Sequence, residues 1–273
     1  MSVLNQTVAL GPLVLSIGQI LLVLALAVAL VAGGLAARRS GVRVSDSLFS
    51  LVLVGLVGAR LLFVVHYWES FDSLWGVVDI RDGGFDPLGG VVAGLAYLVW
   101  RFWRVPQQRR ALTTAVVAGG IVWGVTAGPL LVIDQQSRSA PEVAVSTLEG
   151  ERTDLPSLID ETGQPVVVNL WATWCPACQQ EKPVFEQAQE REDGVKFVFV
   201  NQGEDAGQVQ GYLEEHAPSL ENILMDPHQR WSDATGTRGL PATFFYDEHG
   251  QLVDSHTGQV SSASLERGLE RLR

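Results

Sequence analysis

Four runs of apolar residues, at about 12–37, 47–67, 87–103 and 111–133, dominate the first half of the chain. Each approaches the roughly 20 residues that a helix needs to cross a bilayer. In lipid every backbone N–H and C=O must find its partner within the segment, so a run of this kind folds as a helix. The expectation is an all-α four-helix transmembrane domain over residues 1–134. The third run is the shortest and is Gly-rich, which leaves a re-entrant segment as the alternative there. The first run is longer than a signal-peptide core and follows no charged segment, so cleavage is not expected.

Composition changes abruptly near residue 134. Residues 1–133 carry nine arginines, no lysine and six acidic residues, whereas residues 134–273 carry ten basic and 24 acidic residues, together the net charge of −11. A basic, apolar half followed by an acidic, ordinary half reads as a membrane domain joined to a soluble one. Nucleic acid is excluded as a partner, because the soluble half has no basic surface to neutralise phosphates. Arg38, Arg39 and Arg43 fall in the first loop and Arg101, Arg104, Arg109 and Arg110 in the third, while the loop between has Arg81 against Glu69, Asp72, Asp79, Asp82 and Asp86. Basic loops stay in the cytoplasm. The expected arrangement is therefore a multi-pass protein of a bacterial inner membrane, with the N-terminus and everything after Ile133 on the periplasmic side. Tyr67, Trp68, Trp75, Trp100 and Trp103 lie near the expected interfaces, where aromatic anchors belong.

The soluble half opens with a polar linker, QQSRSAPE, at 135–142. A short hairpin is expected around 143–150, a helix over 155–160, and a buried strand at VVVNLW, 166–171, whose β-branched, continuously apolar character suits a central parallel position. A helix over 176–192 interrupted by Pro183, a strand at 195–200, a helix at 208–216, a brief strand at 223–225 and a helical turn at 227–234 follow. Strands at 242–246 and 252–255 around the turn 248–250, then a helix over 261–272, complete the pattern. Alternating strands and helices of this kind indicate a central sheet covered on both faces.

Only two cysteines occur, at 175 and 178, in the segment WATWCPAC, where the first main strand meets a helix. A thiol at a helix N-terminus faces unpaired N–H groups and the positive end of the dipole, which favours its thiolate. Cys175 is therefore the nucleophile. Pro176 suits the first helical position because its missing N–H would have had no partner there. Cys178, three residues on, is placed to attack a mixed disulfide and release the reduced partner. Trp174 frames the thiol and Trp171 packs inside.

The run VVVNLWATWCPACQQEKPVF, with Gly239-Leu240-Pro241-Ala242-Thr243-Phe244, resembles the TlpA, ResA and CcmG branch of thioredoxin-like reductases over about 140–273. The resemblance implies an α/β thioredoxin fold and a redox-active Cys175–Cys178 disulfide. It also implies a cis-proline at Pro241 and a substrate peptide held along Leu240, Pro241, Trp174 and Pro176. By the same likeness Glu204 stands where this branch has an acidic residue and is the candidate for proton exchange with Cys178; a surface-loop carboxylate is the bland alternative. Asn169 stands where thioredoxins proper have a buried Asp.

In the membrane half, Gly58-Ala59-Arg60-Leu61 through His66-Tyr67-Trp68, then Asp82-Gly83-Gly84-Phe85 and Gly89-Gly90, resembles the N-terminal part of prolipoprotein diacylglyceryl transferases over about 45–100. Asp86-Pro87-Leu88 stands where that family has its functional His, and the helices bearing its later motifs are missing, so the resemblance implies a degenerate lipid- or partner-binding scaffold. Arg60, an intramembrane charge, is a functional candidate or is paired with carboxylate or carbonyl groups inside the bundle.

No metal or cofactor is expected. Zinc needs about four ligands, His216, His228, His249 and His256 lack ligand spacing, and covalent haem attachment wants a histidine where Gln179 stands. The membrane half has no cysteine, so electrons must come from a separate protein, such as a DsbD- or CcdA-like transmembrane donor. The sequence thus reads as a membrane-anchored thiol:disulfide reductase acting on disulfide-containing periplasmic proteins. Apocytochrome c, a disulfide isomerase, a peroxidase and a methionine sulfoxide reductase all fit as substrates. The competing reading is a membrane scaffold or lipid-handling protein whose second domain only docks partners.

Overall fold

A computed structural model of the chain describes residues 7–10, 13–38, 45–71, 74–134 and 139–273. It falls into two compact units, one of residues 16–78 and 84–133 and the other holding strand residues up to 15, residues 79–83 and residues 134–273.

The first unit is helical: α1 (Ile17–Arg38), α2 (Ser45–His66), a short α3 (Leu74–Val78), α4 (Pro87–Arg104) and α5 (Arg109–Asp134). Three stretches, Ile17–Arg38, Ser45–His66 and Pro106–Leu130, are long and apolar enough to cross a membrane. The third expected run does form a helix, α4, but that helix is not among the three. Its last turn already carries Arg101 and Arg104, which shortens its apolar length. Helix α1 begins at Ile17 rather than near residue 12, because Leu13–Ser16 and Thr7–Leu10 pair as the two short strands β2 and β1. Small residues bring α2 and α4 together. A Cβ on Gly89 would sit 2.6 Å from the Gly58 carbonyl oxygen, and one on Gly58 would run into Ala93; backbone contact this close is how helices associate where no hydrophobic force acts between them.

Arg60 is held inside this unit. Its guanidinium donates to the carbonyls of Gly84 (2.7 Å), Gly76 (2.9 Å) and Val77 (3.1 Å), and lies within 5.6–6.0 Å of the Phe63, Phe71 and Phe85 ring centres. Main-chain carbonyls are thus among the partners of this charge.

The second unit is built on a seven-stranded mixed sheet in the order β4-β3-β7-β6-β5-β8-β9. Its strands are β3 (Val145–Thr147), β4 (Arg152–Thr153), β5 (Val166–Trp171), β6 (Lys196–Gln202), β7 (Ile223–Asp226), β8 (Ala242–Tyr246) and β9 (Leu252–Thr257). Helices α6 (Leu155–Thr162), α7 (Pro176–Arg191), α8 (Ala206–His216), α9 (Arg230–Thr235) and α10 (Ser262–Glu270) cover it. Strand β5 is buried at every position. Its side chains alternate: Val166, Val168 and Leu170 pack with Leu155, Ile159 and Trp231 on one face, and Val167 and Trp171 pack with Phe185, Phe199, Val209 and Leu265 on the other. Local chemistry sets the helix ends. Asp154 and Asp205 cap α6 and α8, a Ser261/Ser264 capping box starts α10, and Gly163 closes α6 with φ +61°.

The second half of the expected linker is already part of this unit: Ser139 bridges Gln251, and the Ala140 N–H donates to the Gly250 carbonyl at 2.8 Å. The edge of the β8–β9 hairpin offers unpaired backbone groups, and the chain takes them. Residues 135–138 lie outside the described residues.

Gly268 on α10 lies against the Phe245 ring, where any Cβ would collide. Gly268→Val is expected to destabilise this unit by about 1–3 kcal/mol, the usual result of overpacking. Thermal unfolding of the detergent-solubilised chain, followed by tryptophan fluorescence, measures it.

Candidate functional site

Strand pairing makes the site. Parallel β5 and β6 align Trp171 with Asn201, and antiparallel β5 and β8 align Leu170 with Ala242. The end of β5, the end of β6 and the start of β8 therefore meet at one end of the sheet, which brings together residues 172–175, 203–204 and 240–241. Cys175 caps α7, with Pro176 at the first helical position, and is joined to Cys178 in a disulfide with Cα atoms 5.2 Å apart, inside the range such bridges span. The Cys175 sulfur accepts from the Cys178 N–H at 3.2 Å. It thus sits against the unpaired N–H groups of the first turn, where negative charge is favoured. Cys178 is fully buried and Cys175 nearly so, while Trp174 is 64% exposed beside them. The Leu240–Pro241 peptide is cis, and Leu240 packs on the cluster that contains both cysteines.

Glu204 is buried on the loop after β6 and accepts four hydrogen bonds. Thr173 gives two, from its N–H at 2.7 Å and from its hydroxyl; the side-chain amides of Asn201 and Gln208 give the others at 2.6 and 2.8 Å. The carboxylate thereby fastens the β6–α8 loop to the segment that leads into Cys175.

Behind the disulfide lies a second charged group. The buried face of α7 runs Cys178, Glu181, Lys182, Phe185, Ala188, the three- and four-residue spacing that stacks side chains on one helical stripe. The Glu181 carboxylate accepts from the Asn169 side-chain N–H at 2.8 Å and from the Val260 N–H at 2.9 Å. The Lys182 ammonium donates to the Asn169 side-chain oxygen at 3.3 Å and lies 4.0 Å from the Trp171 ring centre and 4.9 Å from that of Phe199. One amide therefore bridges both charges. Burial pushes the Glu181 carboxyl up to about 7, against the pull of Lys182 and the two donors. Burial also pushes the Lys182 ammonium down to about 7, against Glu181 and Glu186.

These elements match known proteins. Residues 135–269 fit the Redoxin family model and residues 6–130 the prolipoprotein diacylglyceryl transferase model. The chain is 32% identical over 179 residues to the thiol-disulfide oxidoreductase ResA of Halalkalibacterium halodurans, covering 63% of this chain and 96% of that protein. The chain belongs to the ResA-like thiol-disulfide oxidoreductases. It is also 32% identical to the thioredoxin-like protein YneN of Bacillus subtilis, over 50% of this chain and 79% of that one. A solved secreted disulfide oxidoreductase of Mycobacterium tuberculosis is 26% identical over 47% of this chain and 95% of its own, with a TM-score of 0.41.

In this ResA-like unit Cys175, Cys178, Trp174, Pro176, Leu240 and Pro241 lie at one end of the sheet, and Trp171 is core. Glu204 is buried and bound to Thr173 instead of being a free surface-loop carboxylate. Sequence reasoning passed over Glu181 and Lys182, although a signal was present: two charges, three and four residues after Cys178, fall on the stripe that α7 must bury. His216, His228 and His249 are exposed; His256 is partly buried, with a ring nitrogen 3.2 Å from the Gln259 carbonyl, because β9 carries it into the sheet. Among the described residues no cluster of His, Cys, Asp or Glu could hold a metal ion.

Glu204→Ala strips the partner from three buried or half-buried donors. It is expected to lower the unfolding free energy by about 1–3 kcal/mol, read from the thermal transition of the intact chain, with an unchanged transition contradicting the fastening role.

Proposed function

We propose that the chain is a membrane-anchored reductase of disulfides in periplasmic proteins, working through a dithiol/disulfide cycle of Cys175 and Cys178. In the reduced protein the Cys175 thiolate attacks a substrate disulfide, and the departing substrate sulfur takes up a proton. Cys178 then gives up its proton and attacks the Cys175 sulfur of the mixed disulfide. The second substrate thiol leaves, and the Cys175–Cys178 disulfide forms. A separate dithiol protein of the DsbD or CcdA kind returns two electrons and two protons, since the membrane half has no cysteine to carry them.

The observation that carries this reading is the position of the disulfide, capping a helix beside an exposed tryptophan and the Leu240–Pro241 segment, with a titratable carboxyl one turn deeper. Cys178 is fully buried, so its proton needs an acceptor inside the protein. We assign that part to Glu181, whose proton affinity, raised toward neutrality by burial, suits a group that takes and gives a proton at working pH. Glu204, with four donors on its oxygens, holds the loop. Trp174, Pro176, Leu240 and Pro241 form the surface that receives the substrate peptide.

We further propose that α4 inserts as a fourth span. This keeps both arginine-rich loops in the cytoplasm and leaves the redox unit in the periplasm.

Cys178→Ser removes the resolving thiol and is expected to strand substrates on Cys175 as mixed disulfides, visible as reductant-sensitive adducts on non-reducing gels. A Cys175→Ser/Cys178→Ser control carries none. Absence of adducts in cells would contradict the cycle.

A further inference from the structure

Lys182 has no part in the cycle as described, yet it is the most unusual side chain in the unit: a fully buried amine directly beside the buried acid. A buried charge is costly unless paired and hydrogen-bonded. Here, among the described residues, the ammonium has one oxygen partner, the Asn169 amide, and two aromatic faces. The Asn169 amide is oriented by its other bonds. Its N–H₂ group donates to Glu181 and to the Thr243 hydroxyl at 3.2 Å, so its oxygen is the end left for Lys182. A single fixed dipole thus runs from the ammonium to the carboxylate.

We propose that Lys182 is a positioning residue for the resolving step: through its charge and the bridging Asn169 it sets the pH at which Glu181 is free to accept the Cys178 proton. The inference rests on the assignment of Glu181 made above. The surroundings support it. β5 contributes Asn169 and Trp171, β6 contributes Phe199, and the segment before α10 contributes the Val260 N–H. None of these titrates. Glu186, on the same helix, is the other charged group acting on the ammonium. Glu204 is occupied by Thr173, Asn201 and Gln208. The proton state of Glu181 therefore answers to Lys182 more than to any other charged neighbour. Taking the ammonium away leaves the carboxyl protonated to higher pH, so the base becomes available later on a rising pH scale.

The test uses the full reduced chain in detergent and a chromogenic disulfide, dithiobis(nitrobenzoate), in stopped flow. Attack by Cys175 releases the first thionitrobenzoate, and attack by Cys178 on the resulting mixed disulfide releases the second. The rate of the second release is followed from pH 5 to pH 10. Lys182→Met, close in volume and uncharged, is expected to move its rising limb upward by about one to three pH units, the effect of losing an opposite charge at close range. The first release should keep its profile. Lys182→Gln, which retains a donor for Asn169, should show the same shift and serves if the methionine variant does not fold. Glu181→Gln should abolish the limb, and adding Lys182→Met to it should cause no further shift.

An unshifted limb in both Lys182 variants, with the limb still lost in Glu181→Gln, overturns the role of Lys182 alone. So does a Lys182 shift that persists in the Glu181→Gln background. A limb that survives in Glu181→Gln overturns the assignment of Glu181 and this inference with it.

Discussion

The chemistry of this chain depends on a disulfide seated on the first turn of a helix whose next turn carries an acid and an amine, both buried. The first turn supplies unpaired N–H groups to the Cys175 sulfur; the second supplies groups whose protons are held near neutrality because burial works against both charges. Helical periodicity alone puts Cys178, Glu181 and Lys182 on one stripe. The sheet then decides what that stripe faces. Strand β5 alternates its side chains so that Asn169 and Trp171 look toward α7, and the bridging amide and the aromatic wall under the ammonium both follow from that alternation.

Much of the redox unit is legible in the sequence, for a physical reason. Buried parallel strands must be continuously apolar, so 166–171 and 195–200 stand out, and they match β5 and β6 to within two residues. The thiol pair shows because a helix N-terminus favours a thiolate and a proline at the first helical position is a local signal for one. The deeper layer was less legible. A charge in a helix reads as solvated until the burial of its stripe is known, and that burial depends on β5, β6 and α10 closing over it. Asn169 puts no titratable group at its own position, and nothing in the local pattern says which neighbouring carboxyl the fold buries. Glu204 was visible as a chemical type, whereas two of its four donors come from Thr173, 31 residues away in the chain and brought near only by the pairing of β5 with β6.

In the membrane half the apolar runs announced the helices, and their small residues explain how α2 and α4 approach. Charge was harder to read. Arg60 donates to three main-chain carbonyls and lies near three phenyl rings, contacts that depend on where the segments around Gly76 and Gly84 come to lie.

The central claim, that Cys175 and Cys178 form one reversible two-electron couple on the reducing side, is tested most directly by equilibrating the purified chain against defined dithiothreitol couples. Free thiols are then counted after acid quenching. A single two-electron transition is expected, lying nearer the roughly −270 mV of thioredoxin than the roughly −120 mV of a dedicated oxidant. A transition near the oxidant's potential, or thiols that never interconvert across the accessible range, would contradict it.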